Sequence, residues 1–515
     1  MQKKFFVSLS VLFLLLIGVN NSEASFKDDL EKIDGVVSVS KIIQSGDSKP
    51  FAEKYLVTFV QYIDWNNPDL GTFNQRVEIG FRGYDNVNVM YVSGYELYEK
   101  YFETDDEHEI SKMYDGNYIS VEYRYFSKSA PEGLSTKSTE LWEYLTDENA
   151  SKDFHNIIEK LQEILSGRWV FTGISKGGQA TNVFAYYFPN DVDAYVSYVA
   201  PFCDGIDDER AFNAIYNEIG NNRYGEEQAK KYRDLMLDFE VEAIKNRDYL
   251  QPLILSEDSY SDYPLRNISR DFEIYIVDTV FGVWQYDQNF ASFEEVMKIT
   301  PRIDDISTPD VKENQKFLDG LLRVIIENNG DVGDTDLLFP YTVHAATENG
   351  NYGLRLQPIL DELSKYGITM ELTAETEKNY LALSQFNQAQ LDAFKFNPEM
   401  RNKMLEWTET NTSNVIMIYG DSDPWYFMRL PETDNPNIHI FTSSEYAHIT
   451  DINSMNEEMK KEITALLSEW LKQDPKENNN DELTKNTLLS SSGGCNSGIS
   501  LFALGFVFVL LKKII

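Results

Sequence analysis

The chain has 515 residues, 42% of them hydrophobic and 13% aromatic, enough to bury a large core. With 46 basic against 84 acidic side chains it carries a formal charge of −38. So acidic a surface repels phosphate backbones and speaks against nucleic acid as a partner, while it suits a cationic group such as the free amino end of a peptide.

The first segment has the order of an export signal. Lys3 and Lys4 precede the apolar run Phe5–Val19, and "SEA" at Ser22–Ala24 offers small residues for cleavage, so residues 1–24 are expected to be removed and the mature chain to start near Ser25. Short runs rich in Val, Ile, Tyr and Phe follow. Tyr55–Ile63, Gln75–Phe81, Asn86–Val92 and Asn117–Phe126, each bounded by turn residues, predict strands. The pattern then alternates. Ser151–Leu165 has apolar residues at helical spacing, Arg168–Ile174 reads as a strand, a helix starts in "SKGGQATNVFAYYF", and Val192–Pro201 reads as the next strand. Strand, helix, strand at this spacing implies a parallel sheet.

From 202 to 413 helical patterns dominate, as in Gly225–Asn246 and Lys378–Phe396. Strand signals return at Asn414–Gly420 and Asn437–Phe441, and Ser454–Lys472 closes the globular part as an amphipathic helix. The expected architecture is one eight-stranded mixed sheet, built from 25–201 and 414–474, with a large helical cap (202–413) inserted after the sixth strand. Residues 475–498 are polar and poor in core-forming side chains, which reads as a stalk. Ile499–Leu511 is continuously apolar, and Lys512 and Lys513 follow it. Gly-Gly-Cys, a short apolar run and a basic end, in that order, resemble a Synergist-type C-terminal sorting tag. The run would span about 20 Å as a helix, short for a bilayer core of about 30 Å, so the membrane tether it implies is expected to be transient. Cys495 lies in that tag and Cys203 in the globular part. A disulfide between them is not expected, and Cys203 reads as a small buried hydrophobe.

Gly173-Ile174-Ser175-Lys176-Gly177 fits G-x-S-x-G between a predicted strand and a predicted helix. That setting makes Ser175 a nucleophile, because flanking glycines allow a tight turn that projects the hydroxyl clear of the sheet. An α/β-hydrolase places its acid after a later strand and its histidine after the last one. "IYGDSDPWY" offers Asp421 and Asp423, and "SSEYAHITDI" offers His448. Of the other histidines, His439 falls inside a strand, His155 in a helix, His108 in an acidic loop, and His344 in the insertion without a matching strand end. In these roles His448 takes the Ser175 proton, the acid orients the imidazole, and the Lys176 N–H stabilises the oxyanion. The loop after the third strand should supply a second donor, Gly94 or Tyr95. Glu122, at the end of the fourth strand, is placed to pair with a substrate ammonium or to be a buried structural carboxylate. Trp284 and Trp425 line an apolar or prolyl pocket, or pack in the core. No metal-ligand spacing, Walker loop or dinucleotide fingerprint occurs, so no cofactor or metal is expected.

"TGISKGGQATNVFAYYFPNDVDAYVSYVAPF", with "SVEYRYFSKSAP", "FGVWQY" and "YGDSDPW" in the same order, resembles the secreted bacterial tripeptidyl aminopeptidases, serine peptidases related to the prolyl carboxypeptidase and dipeptidyl peptidase group. The resemblance covers roughly residues 30–470. It implies an α/β-hydrolase core with a helical cap, no cofactor, and release of short peptides from free N-termini. It also implies Asp423, in Asp-Pro-Trp, as the acid in preference to Asp421. Gln179 and Cys203 depart from the pattern, which leaves the subsites open. Two rival readings remain: an esterase or lipase on the same fold, and a surface-tethered binding protein on an inactive scaffold.

Overall fold

A computed structural model describes residues 25–45, 49–104, 106–255, 267–286, 290–299, 311–328, 335–372 and 385–476. The export signal, the stalk beyond residue 476, the C-terminal tag and the first part (378–384) of the helix expected at Lys378–Phe396 lie outside them. No helix among the described residues is long and apolar enough to cross a membrane.

The strands are β1 (Val36–Lys41), β2 (Glu53–Tyr62), β3 (Thr72–Phe81), β4 (Asn88–Val92), β5 (Asn117–Val121), β6 (Trp169–Ile174), β7 (Ala194–Tyr198), β8 (Val415–Gly420) and β9 (Ile438–Ser443). They form one sheet in the order β1-β2-β3-β5-β4-β6-β7-β8-β9. The edge from β1 through β3 to β5 is antiparallel, and every pair from β5 to β9 is parallel. The sheet therefore has nine strands, not the expected eight, and the helical stretch follows the seventh. The missed strand is β1. Its sequence, VVSVSK, is nowhere buried, so it lacks the strong apolar face that betrays the others. The fourth expected strand stops at Val121 because the chain then turns, with Tyr125 at φ +72°. There Arg124 leaves the ladder and pairs with Asp153 at 2.8 Å, both fully buried.

Alternation of side chains fixes the two faces. On β6, Phe171 packs with the helices Asp147–Gln162 and Lys176–Tyr187, while Val170 joins Ile110, Tyr114, Ile463 and Leu467 on the other face. On β8, Val415, Met417 and Tyr419 take the first side and Ile416 and Ile418 the second. Strands buried on both faces read as nearly continuous apolar runs, which is why β6 to β8 are so plain in the sequence. The helices between β7 and β8 have a core of their own, with Phe212, Phe239, Phe281, Trp284 and Phe293 at its centre. Trp425 and Met428, which follow β8, join that cap core. The cap is thus pinned beside a loop at the end of a core strand.

Candidate active site

Ser175 sits between β6 and the Lys176–Tyr187 helix at φ 58°, ψ −120°, a conformation L side chains avoid. Its own N–H donates to the Tyr198 carbonyl of β7 at 2.9 Å, and its carbonyl accepts from the Gln179 N–H at 2.9 Å. The turn has no room for side chains. A Cβ on Gly177 would lie 2.0 Å from the Val92 carbonyl, and one on Gly173 would lie 2.3 Å from the Gly177 carbonyl. The motif's glycines are therefore required by close backbone approach. Strain held in place by tight packing is the form expected of a nucleophile elbow.

Asp423 and His448 come from the ends of β8 and β9. His448 Nδ1 and Asp423 Oδ2 are 2.6 Å apart, and both side chains are buried. The other Asp423 oxygen accepts the Trp425 N–H at 3.1 Å, which fixes the carboxylate plane. Asp421, the alternative acid, is engaged elsewhere: one of its oxygens accepts from Ser444 Oγ at 2.7 Å and from Asn222 Nδ2 of the cap at 2.8 Å. A second cap contact reaches the histidine itself. The His448 N–H donates to the Gln285 carbonyl, at the end of the cap helix Ile268–Gln285, at 3.0 Å.

Ser175, Lys176, Tyr95 and Trp425 line one cavity, with Gln179, Pro201, Cys203, Tyr341, Ala345, Asn349 and Gly350 completing its wall. Gly94, at φ +78°, lies against the elbow: a Cβ there would be 2.7 Å from the Gly177 nitrogen. The Tyr95 N–H already donates to Ser93 Oγ at 3.1 Å. Gln179 and Cys203, the two positions that depart from the resemblance, both face this cavity. Burial and the nearby Asp208 push the Cys203 thiol well above its ordinary pKa, which keeps it an inert wall residue.

Two expected substrate contacts are placed elsewhere. Glu122 is fully buried and accepts from Arg76 Nε at 2.9 Å, Arg76 Nη2 at 2.5 Å, Ser129 Oγ at 2.5 Å and the Leu97 N–H at 2.9 Å. It is the structural carboxylate of its two readings, because no oxygen is left to meet a substrate ammonium. Trp284 packs against Phe290, with ring centres 4.9 Å apart, and against Gly220 in the cap core. It does not reach the cavity wall, whereas Trp425 does.

Sequence reasoning missed the groups behind the cavity. The Lys176 ammonium is buried 3.3 Å from the centre of the Tyr123 ring, where it gains a cation–π contact. Burial lowers its pKa, and Asp147 and Glu348 oppose that shift. Tyr123 OH donates to Asp147 Oδ1 at 3.3 Å, and His344 Nε2 lies 3.3 Å from both Asp147 Oδ1 and Glu348 Oε2. Burial, aided by Lys176, holds the His344 ring neutral by lowering its pKa to about 3. Burial raises Glu348 to about 7. Asp147, His344 and Glu348 bring ligand atoms within 4.8 Å of one another, close enough for a metal ion. Lys176 lies near enough to both carboxylates to favour their charged forms. No signal in the sequence joins these residues, which lie on four separate segments.

A strained serine elbow at the end of a parallel strand, with a buried Asp–His pair after the last two strands of the same sheet, defines an α/β-hydrolase. The model of the family PS-10 peptidase S37 matches residues 24–489, and the chain belongs to that family of serine peptidases. A prolyl tri/tetrapeptidyl aminopeptidase of Streptomyces mobaraensis is 25% identical over 413 residues, covering 78% of this chain and 75% of that protein. Among solved structures, esterase E22 matches at 9% identity over 81% of this chain and 99% of its own, with a TM-score of 0.34. Epoxide hydrolase A of Mycobacterium thermoresistibile matches at 13% identity over 78% and 95%, with a TM-score of 0.30.

Proposed function

We propose that this chain is an exported serine aminopeptidase that releases short peptides, tripeptides above all, from free N-termini. The observation that carries the reading is the 2.6 Å Asp423–His448 pair set beyond the strand that presents Ser175. In this mechanism His448 Nε2 takes the hydroxyl proton as Ser175 Oγ attacks the scissile carbonyl carbon. The oxyanion is held by the Lys176 N–H and by Gly94, the better placed of the two loop candidates because the Tyr95 N–H is engaged. His448 then gives its proton to the leaving amine, and water, activated the same way, splits the acyl-enzyme into free peptide and Ser175. The S. mobaraensis relative is by name a prolyl tri/tetrapeptidyl aminopeptidase. A wall of Tyr95, Tyr341, Trp425 and Pro201 suits a proline ring. The cap over the elbow favours a chain end over a folded chain. Export rests on the basic-apolar N-terminal segment, and a transient membrane tether rests on the C-terminal tag. N-terminal sequencing of the mature protein should start near Ser25.

A fluorophosphonate probe should label the protein, and Ser175→Ala should abolish both labelling and cleavage of a tripeptidyl coumarin amide. Absence of labelling would point to an inactive binding scaffold. Cleavage of nitrophenyl esters with every peptide ignored would point to an esterase.

A further inference from the structure

Three residues of the cavity wall carry a buried side-chain atom without a hydrogen-bond partner, and one of them, Lys176 Nζ, is taken up by the Tyr123 ring. Asn349 Oδ1 is a buried acceptor without a donor, and Trp425 Nε1 is a buried donor without an acceptor. A buried polar atom of this kind is costly to leave unsatisfied. Leaving two of opposite polarity on the wall that also presents Ser175 is the arrangement of a site awaiting a ligand that offers both an N–H and a C=O.

The orientation of Asn349 is built, not incidental. His344 Nε2 faces two carboxylates, so it carries the ring hydrogen and donates it. Because the ring is neutral, Nδ1 is an acceptor, and it faces Asn349 Nδ2 at 3.5 Å. The amide's NH2 end is thereby turned to the histidine and its oxygen is released for another partner. The turn that carries Asn349 is equally fixed. It is a single π-helical turn, Ala345–Asn349, ending in Gly350 at φ +71°. A Cβ on Gly350 would lie 2.4 Å from the Gly205 carbonyl and 2.7 Å from the Cys203 Cβ, so only glycine lets the turn press against the cavity wall. Asp147, which His344 faces, also meets the Tyr123 hydroxyl and the charge of Lys176, the residue after the nucleophile. One buried chain of contacts thus runs from the elbow's own neighbour to the Asn349 amide.

We propose that Asn349 is a substrate-binding residue whose Oδ1 accepts a hydrogen bond from an N–H of the bound peptide, while Trp425 Nε1 donates to a peptide carbonyl. The N–H is either the terminal ammonium or a backbone amide. This assignment rests on the peptidase reading above. It gives the cap a direct share in substrate recognition.

The test is calorimetric binding of a tripeptidyl coumarin amide, with free and with acetylated amino end, to the full chain carrying Ser175→Ala. Adding Asn349→Ala should weaken binding of the free-amine peptide about tenfold, and adding Trp425→Phe, which keeps a large ring, about fivefold. If the ammonium is the donor, Asn349→Asp tightens the free-amine peptide alone and acetylation removes the effect of Asn349→Ala. If a backbone amide is the donor, Asn349→Ala weakens both peptides equally. Unchanged affinity in a folded Asn349→Ala protein, judged by its melting curve, overturns the assignment. Wild-type turnover of the same peptide separates the two levels. No turnover removes the peptidase reading and this assignment with it; turnover with unchanged affinity removes this assignment alone.

Discussion

The parallel half of the sheet and the helical cap meet at one cavity, and they contribute to it in opposite ways. The sheet supplies Ser175, Asp423 and His448 from strand ends, positions fixed by its backbone ladders. The cap supplies Tyr341, Ala345 and Asn349 from a single helix-to-turn junction, held by side-chain networks and one glycine. A rigid sheet can hold reacting groups to within fractions of an ångström, whereas a cap of packed helices can change its pocket without disturbing the chemistry. The two are joined where it matters most, by the His448 N–H on the Gln285 carbonyl and by Asn222 on Asp421.

The largest test of this division is on the sheet side. Asp423→Asn should lower kcat by about 10⁴-fold, because an amide at that position stabilises the wrong imidazole tautomer and no imidazolium. Asp421→Asn should cost less than about tenfold, since an amide oxygen can still accept from both Ser444 and Asn222. Equal losses in the two variants would break the assignment of Asp423 as the orienting acid. The next test is on the cap. Trp284→Ala empties the centre of the cap core and should cost about 3–5 kcal/mol in unfolding measurements. Because Gln285 follows it and holds the His448 backbone, turnover should fall with the cap's melting and not with the sheet's. A full-activity Trp284→Ala protein would show that the cap and the histidine are not coupled.

The smallest effect concerns pH. Asp278 is buried in the cap, with Tyr352 OH on one oxygen at 3.1 Å and no partner on the other. Burial raises its pKa to about 8. A carboxyl raised in the folded state contributes stability that is complete below its ordinary pKa and is lost as pH rises through the folded value. Melting temperature should therefore fall as pH is taken from about 5 to about 8 and level off above that, and Asp278→Asn should flatten that fall by a few degrees. A wild-type curve flat across the range, or a variant curve that parallels it, would show that the cap's stability does not depend on this carboxyl. The sheet's own elements should be less affected, which hydrogen exchange can resolve segment by segment.

The sheet was readable from the sequence where its strands are buried on both faces. β6, β7 and β8 announce themselves as apolar runs, and the G-x-S-x-G turn after β6 leaves little choice for its serine. β1 was not readable, because an exposed edge strand has no apolar face to give it away. The cap showed only that it is helical. Trp284 and Trp425 have the same composition signal and both join the cap core, yet only Trp425 also reaches the cavity wall. Glu122 shows the same ambiguity for a charge: a carboxylate after a strand could meet a ligand or an arginine, and only the approach of Arg76, from β3, decides.

By itself the sequence determined the central strands and their succession along the chain, the serine elbow, and an acid and a histidine each beyond a later strand. Those follow from local spacing and from the period of apolar residues, which neighbours in the chain can encode. Tertiary structure alone decided that Glu122 is spent on Arg76 and that Lys176 is buried over Tyr123, and it brought His448 onto Asp423, the acid that the resemblance had implied. It alone brought Asp147, His344, Glu348 and Asn349 to the back of the cavity. Those are contacts between segments up to about two hundred residues apart, fixed by packing and burial, and no periodicity in the chain records them.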